Sequence, residues 1–247
     1  MLDINKYNFF VFDLDGTLID SHGFYDIMDS VYVQHLYNKT VSVKFLADLE
    51  MLFRKRLNTA YSMDYYMLLD KYYGKGNLNE NQILQKLRFV KENFILPKIK
   101  FKKWAVDTLT ELKNIYNVKK FALVTGSNKQ EIDFFSNDSR SDLKNSLNIN
   151  SFFDVIITRD DVTNLKPNPE SYNLVLKKLH IQNSAEMLVF EDSLDGILAA
   201  KASKACVIGI RNDYMLRDRF KIQALSDYYY NDWYSVLKTI RYKHATR

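Results

Sequence analysis

Phe9-Phe10-Val11-Phe12-Asp13-Leu14-Asp15-Gly16-Thr17-Leu18-Ile19-Asp20-Ser21 decides how this chain is read. Four apolar residues make a short buried strand, two carboxylates follow one residue apart, and a glycine then turns the chain. Ionised carboxylates at the end of a buried strand repel each other and lose hydration, so Asp13 and Asp15 require a compensating cation or lysine. The sequence offers Lys166 and, through a bound metal ion, the acidic pair Glu191-Asp192. A strand end of this kind is where a phosphoryl-transfer nucleophile would sit.

Working outward, apolar runs of the same type recur at Phe121 to Val124, Val155 to Ile157, Met187 to Phe190 and Cys206 to Ile210, separated by amphipathic stretches of helical length. Continuous apolar strands suit a parallel sheet covered on both faces. Between Asp20 and Ile99 the spacing is helical throughout, with helices expected near Phe24–Tyr37, Val43–Leu57, Ser62–Tyr73 and Glu80–Leu96. The expected organisation is a Rossmann-like α/β core from residues 1–20 and 101–247, with a four-helix domain from residues 21–100 inserted into it. The chain has only 7 glycines and 3 prolines, and Gly16, Gly126, Gly196, Pro167 and Pro169 all fall in loops that follow expected strands. Such loops are where backbone must turn sharply or approach a ligand closely.

Composition bounds the function classes. A chain of 247 residues with 47% apolar and 14% aromatic content buries a sizeable core without help from disulfides. The single cysteine, Cys206, lies in an apolar run and reads as a buried strand residue. No stretch reaches the ~18 uninterrupted apolar residues of a spanning helix, and Asp3 and Lys6 beside a short apolar strand do not make a signal peptide, so a cytoplasmic, reducing compartment is expected and no membrane partner. The net charge of +5 arises from 35 basic and 30 acidic residues interleaved along the chain, with basic clusters at Arg54-Lys55-Arg56 and at Lys98, Lys100, Lys102 and Lys103. Nothing resembles a nucleic-acid-binding motif, and the charge is read as surface that steers small phosphorylated anions.

Four separated segments, Asp13-Leu14-Asp15-Gly16-Thr17, Leu123-Val124-Thr125-Gly126-Ser127-Asn128, Leu165-Lys166-Pro167-Asn168-Pro169-Glu170 and Val189-Phe190-Glu191-Asp192-Ser193-Leu194-Asp195-Gly196, together resemble the haloacid dehalogenase superfamily. The similarity is to the branch that includes β-phosphoglucomutase and phosphoglycolate phosphatase, and it spans Tyr7 to Ser21 and Lys103 to Ile210. The resemblance implies a hydrolase acting on a small phosphorylated metabolite through an aspartyl-phosphate. Asp13 is then the nucleophile and Asp15 the general acid and base. Thr125, Gly126, Ser127 and Lys166 hold phosphate oxygens, the two residues after Thr125 through backbone N–H groups at a helix N-terminus. Asp13, the backbone carbonyl of Asp15, and Asp192 ligate Mg²⁺, with Glu191 either a further ligand or a support behind the ligands.

His22 and Asn128 are candidate substrate contacts, and Tyr65, Leu69 and Tyr72 recur at helical spacing as either an aromatic stacking face or a core stripe. Asp192 or Ser193 is expected to cap the helix that follows. Lys204 stands where members of the family carry a glycine, and Ser136 to Asn150 forms an extra polar segment of unassigned role. Two other readings share these residues: a phosphotransferase or mutase of the β-phosphoglucomutase type, and a non-catalytic phosphate-binding switch. No second phosphate-holding set is recognisable between Asp20 and Ile99, which favours hydrolysis. Asp15 disfavours a dehalogenase or phosphonate hydrolase. The order of the acidic residues and the long helical insert separate the chain from a two-component receiver domain. Neither the leaving group nor the oligomeric state is specified by the sequence.

Overall fold

A computed structural model describes residues 2–57, 63–116 and 119–245. The side chains of Arg54, Lys55 and Arg56 and the whole of Ser62 lie outside the described residues. In chain order the elements are β1 (Phe9–Phe12), α1 (His22–Tyr37), α2 (Val43–Leu57), α3 (Met63–Tyr73), α4 (Glu80–Val90), α5 (Ala105–Ile115), β2 (Lys120–Val124), α6 (Lys129–Asn137), α7 (Asp142–Ser146), α8 (Ile149–Phe152), β3 (Val155–Ile157), α9 (Glu170–Lys178), β4 (Met187–Glu191), α10 (Leu194–Ala202), β5 (Cys206–Ile210), α11 (Arg219–Leu225), β6 (Tyr228–Tyr230) and α12 (Trp233–Ala245). The chain divides into two compact units, residues 1–21 with 100–247, and residues 22–99.

In the first unit six strands form one sheet in the order β3-β2-β1-β4-β5-β6, with every neighbouring pair parallel. The side-chain period of two sorts the strand residues onto two faces. Val11, Ala122, Val124, Val189 and Val207 join Tyr172 and Val175 of α9 and Ile197, Ala199 and Ala200 of α10 in one cluster. Phe10, Phe12, Phe121 and Phe190 point the other way. Phe12 stacks on Phe190 at 4.6 Å, Phe190 on Trp233 at 5.5 Å, and Phe10 meets Tyr116 edge-on at 5.8 Å. All four phenylalanines are fully buried, and burial of each side chain contributes roughly 2 kcal/mol. These aromatic residues fix α5 and α12 against β1 and β4. Trp233 Nε1 also donates to the Thr17 carbonyl at 2.8 Å, tying the turn after β1 to the same core.

The order of the strands determines where a ligand can bind. The chain leaves β1 for β2 and β3 on one side and returns to β4, β5 and β6 on the other, so β1 lies at a topological switch point, beyond whose carboxyl end open α/β sheets bind ligands. Asp13, Thr125, Asp192 and Asn212 all lie just past the carboxyl ends of their strands. Strand β6 has no counterpart among the expected strands. Cys206 in β5 is half-buried rather than buried and accepts a hydrogen bond from the Tyr7 hydroxyl at 3.1 Å.

The second unit holds α1 to α4. Its centre is polar as well as aromatic: Asp29 accepts from the Tyr65 hydroxyl at 2.9 Å and the Tyr66 hydroxyl at 2.8 Å. Tyr65 and Leu69 are buried there, whereas Tyr72 is 79% exposed, so only part of that helical stripe is core. The helix expected over Glu80–Leu96 remains α-helical only to Val90, then widens into a π-turn over Lys91–Ile95 and tightens into a 3₁₀ turn at Leu96–Lys98. Asn93 Nδ2 takes the Phe89 carbonyl at 2.8 Å in competition with the backbone ladder, and Pro97 has no N–H to continue it. The extra polar segment of the first unit is built around α7 and the start of α8. No helix among the described residues is long and apolar enough to cross a membrane.

Candidate active site

The backbone of β1 carries Asp13 into the site, where its N–H donates to the Phe190 carbonyl at 2.9 Å. Gly16 follows with φ of +82°, a conformation open to glycine, and the chain folds back so that Gly16 N–H bonds the Ile19 carbonyl at 2.9 Å. This turn brings Asp13 and Asp15 to the same end of the sheet. Asp13 is 6% exposed.

Lys166 supplies the compensating charge. Its Nζ donates to Asp13 Oδ1 at 2.7 Å, to Glu191 Oε1 at 2.6 Å and to the Val124 carbonyl at 3.2 Å. The same ammonium lies 5.3 Å from the centre of the Tyr172 ring. Burial opposes the charge on Lys166, yet the Asp13 and Glu191 carboxylates hold its pKa above the ordinary lysine value. Burial and the Glu191 carboxylate push the Asp13 carboxyl up, and Lys166 only partly offsets them. Lys166 is therefore shared by Asp13 and Glu191, and the ligating oxygens of the buried carboxylates Asp13, Glu191 and Asp192 lie within 4.8 Å of one another.

Each carboxylate is held differently. Glu191 is saturated: Oε1 accepts from Lys166 and from the Tyr172 hydroxyl at 2.9 Å. Its Oε2 accepts from the N–H of Asp192 at 3.0 Å, the N–H of Ser193 at 3.3 Å and the Ser193 hydroxyl at 3.1 Å. Asp192 accepts from the Thr17 hydroxyl on Oδ1 at 2.7 Å and from Asn212 Nδ2 on Oδ2 at 2.6 Å. Asp15 Oδ2 accepts from the Ser127 hydroxyl at 2.7 Å and the Thr125 hydroxyl at 3.1 Å. In contrast, Asp13 Oδ2 and Asp15 Oδ1 are buried with no hydrogen-bond partner among the described residues. Buried polar atoms are nearly always paired, so two orphaned carboxylate oxygens two residues apart mark where something else binds.

Several expectations change in detail. Ser193, not Asp192, caps α10, its Oγ accepting from Gly196 N–H at 3.1 Å, and this leaves the Asp192 carboxylate outside the helix cap. Gly126 and Ser127 precede α6, whose N-cap is Asn128, so they are not the first turn of that helix. Ser127 N–H donates internally to Thr125 Oγ1 at 2.9 Å, and both hydroxyls turn to Asp15. Asn128, a candidate substrate contact, is committed to a capping box: its Oδ1 accepts from Glu131 N–H at 2.9 Å while Glu131 Oε2 accepts from Asn128 N–H at 3.1 Å. His22 opens α1 in the other unit. The residues not singled out from sequence are Tyr172, Thr17 and Asn212. The first two lie inside or beside the quoted motifs, whereas nothing around Asn212 distinguishes it from any amide after a strand.

A family profile for haloacid dehalogenase-like hydrolases matches residues 7–204. The Bacillus subtilis protein named "Putative phosphatase YhcW" is 30% identical over 205 residues, covering 80% of this chain and 81% of the relative. Over a shorter stretch of 57 residues the chain is 44% identical to the phosphorylated carbohydrates phosphatase of Thermotoga maritima, which covers 23% of this chain and 26% of that one. Among solved structures, a Thermotoga maritima protein described as a "putative beta-phosphoglucomutase" superposes with a TM-score of 0.71 at 22% identity, covering 95% of this chain and 99% of the other. At that identity the likeness is one of fold.

Proposed function

From the premise that the chain belongs to the haloacid dehalogenase-like hydrolases, we propose that it is a Mg²⁺-dependent phosphatase that hydrolyses a small phosphorylated metabolite through an aspartyl-phosphate on Asp13. The observation that carries this reading is the pair of orphaned oxygens, Asp13 Oδ2 and Asp15 Oδ1. Lys166 holds Oδ1 of Asp13, which leaves Oδ2 as the attacking atom. Thr125 and Ser127 hold Oδ2 of Asp15, which leaves Oδ1 to carry the proton.

In the first step Asp13 Oδ2 forms a bond to phosphorus as the bond to the ester oxygen breaks, and Asp15 gives its proton to that departing oxygen. In the second, water attacks the phosphorus of the aspartyl-phosphate, Asp15 takes a proton from it, and phosphate leaves with the Asp13 carboxylate restored. Lys166 would also meet a phosphate oxygen. A Cβ on Gly126 would meet nothing within 4 Å, which leaves open space beside Thr125 for the phosphoryl group.

A divalent cation fits the donor set. The carboxylates Asp13, Glu191 and Asp192 bring their oxygens within 4.8 Å of one another, and these are the hard ligands that Mg²⁺ prefers. Asp13, the Asp15 carbonyl and Asp192 would hold it, and Glu191, already filled by five protein donors, stands behind them. When bound, Mg²⁺ neutralises phosphate-oxygen charge so that a carboxylate can approach phosphorus.

The deciding experiment measures phosphate release from sugar phosphates, nucleoside monophosphates, phosphoglycolate and an aryl phosphate, with Mg²⁺ or EDTA, using wild type and Asp13→Asn. Mg²⁺-dependent release that disappears in Asp13→Asn supports the reading, and the fastest substrate identifies the leaving group. Turnover retained by Asp13→Asn would refute the assignment of the nucleophile.

A further inference from the structure

We propose that Asn212 is a positioning residue for Asp192 and that it sets the affinity of the site for its divalent cation. The inference rests on the reading of Asp192 as a metal ligand. Asn212 lies just past β5, is 6% exposed, and reaches across to Asp192, which is 1% exposed and follows the neighbouring strand β4. Its Nδ2 donates to Asp192 Oδ2 at 2.6 Å, the short length of a charge-assisted bond.

The orientation of this amide is fixed by chemistry at its other end. Asn212 Oδ1 accepts from the N–H of Tyr214 at 3.1 Å, a contact only the oxygen can make, so the NH₂ group must face the carboxylate. On the opposite side the Thr17 hydroxyl donates to Asp192 Oδ1 at 2.7 Å, and Thr17 is itself anchored through its carbonyl to Trp233. The carboxylate is thus gripped on both oxygens by neutral donors from two different elements. Both are neutral donors that fix its plane, whereas Asp13 accepts directly from the Lys166 ammonium. Outer partners of this kind orient a ligating carboxylate, and their loss typically weakens metal binding about 10- to 100-fold.

Asn212 does two things, and the variants separate them. Asn212→Ser keeps a side-chain oxygen near the Tyr214 N–H, where hydroxyls form the same local turn more weakly, but is too short to reach Asp192. Asn212→Ala removes both contacts. Binding of Mn²⁺ is followed by the electron paramagnetic resonance signal of the free ion, which needs no turnover, and phosphate release is then measured as a function of metal concentration.

The expected result is a Mn²⁺ Kd raised about tenfold or more in both variants, with kcat at saturating metal within about threefold of wild type. A Kd within about twofold of wild type in Asn212→Ser, at an unchanged melting temperature, overturns the proposal. So does a kcat that stays depressed at every metal concentration, because a purely structural defect behaves that way. If Asn212→Ala fails to fold, Asn212→Ser decides alone. Wild type that binds Mn²⁺ but releases no phosphate from any substrate would remove the phosphatase reading and leave the role of Asn212 standing. Wild type that binds no Mn²⁺ would overturn the role as well.

Discussion

Gly196 lies so close to Glu191 that a Cβ on it would overlap the Glu191 carboxylate. The first turn of α10 is packed directly against the acid that shares Lys166 with Asp13. The glycine is needed for close approach, not for an unusual backbone angle, since it is helical and buried. Five donors fix Glu191 in that position.

Gly196→Ala therefore forces Glu191 off its donors. Overpacking alone costs about 1–3 kcal/mol, and activity should fall further because Lys166 loses the carboxylate that centres it. Gly126→Ala is the control with the opposite signature. Its Cβ enters open space, so urea stability should change by less than about 0.5 kcal/mol, while inhibition by inorganic phosphate should weaken. Measuring both properties in both variants tests whether one glycine serves packing and the other the ligand. Equal stability losses would contradict this.

For Asp15→Asn the amide still accepts from Thr125 and Ser127 but supplies no acidic proton. The loss in kcat should be about 10²- to 10⁴-fold on an alkyl phosphate, the usual range for general acid catalysis. On an aryl phosphate, whose leaving oxygen needs less protonation, the first step should suffer far less. Equal losses on both substrates would argue that Asp15 does not protonate the leaving group.

The ends of α9 and α10 carry side chains where glycine is favoured. After α10 the backbone closes a Schellman motif: Ala205 N–H bonds the Ala200 carbonyl at 3.2 Å and Lys204 N–H bonds Lys201 at 2.9 Å, with Lys204 at φ +65°. After α9 the same pattern places His180 at φ +53°, with Ile181 N–H on Leu176 at 2.8 Å and His180 N–H on Lys177 at 3.3 Å. A left-handed non-glycine residue costs about 1–2 kcal/mol, and glycine returns part of that as lost chain entropy. Lys204→Gly and His180→Gly should each stabilise by about 0.5–1 kcal/mol in urea unfolding, with nearly additive effects. Destabilisation by either would show that its side chain makes contacts that outweigh the strain.

These cases show what the sequence makes legible. The central strands β1, β2, β4 and β5 are readable because a parallel strand buried on both faces is a continuous apolar run, and β3 at one edge is still wholly apolar, whereas β6 at the other edge is three half-buried tyrosines and has no such signature. Asp13, Asp15, Lys166 and Asp192 are readable because each sits in a local pattern of strand, turn and helix start. Asn212 makes its contact across two strands, 20 residues away, and nothing nearby in sequence encodes that distance. Asn128 is the converse case. Its spacing to Glu131 is that of a capping box, a local signal that accounts for both side chains without a ligand.

The loop after β3 supplies a pH test away from the proposed metal ligands. Asp161 Oδ2 accepts from the Thr158 N–H at 2.9 Å and hydroxyl at 2.7 Å, and Oδ1 pairs with Lys129 at 2.8 Å. Burial raises the carboxyl, but the Lys129 and Thr158 donors together outweigh it and the pKa is pushed down to about 2. Because the folded value is depressed, the ionised form contributes stability that is fully present above the unfolded value of about 3.9 and is lost as pH falls through about 2. Asp161→Asn removes the charge while retaining the shape of the turn, so the urea-stability difference between wild type and variant isolates this group from the other carboxylates. That difference should be on the order of 1 kcal/mol and flat from pH 7 to about 4.5, then shrink steadily toward pH 2. Because Lys129 is 62% exposed, part of the gap should also disappear in high salt. A gap that stays constant down to pH 2 would mean that Asp161 stabilises the loop through shape alone.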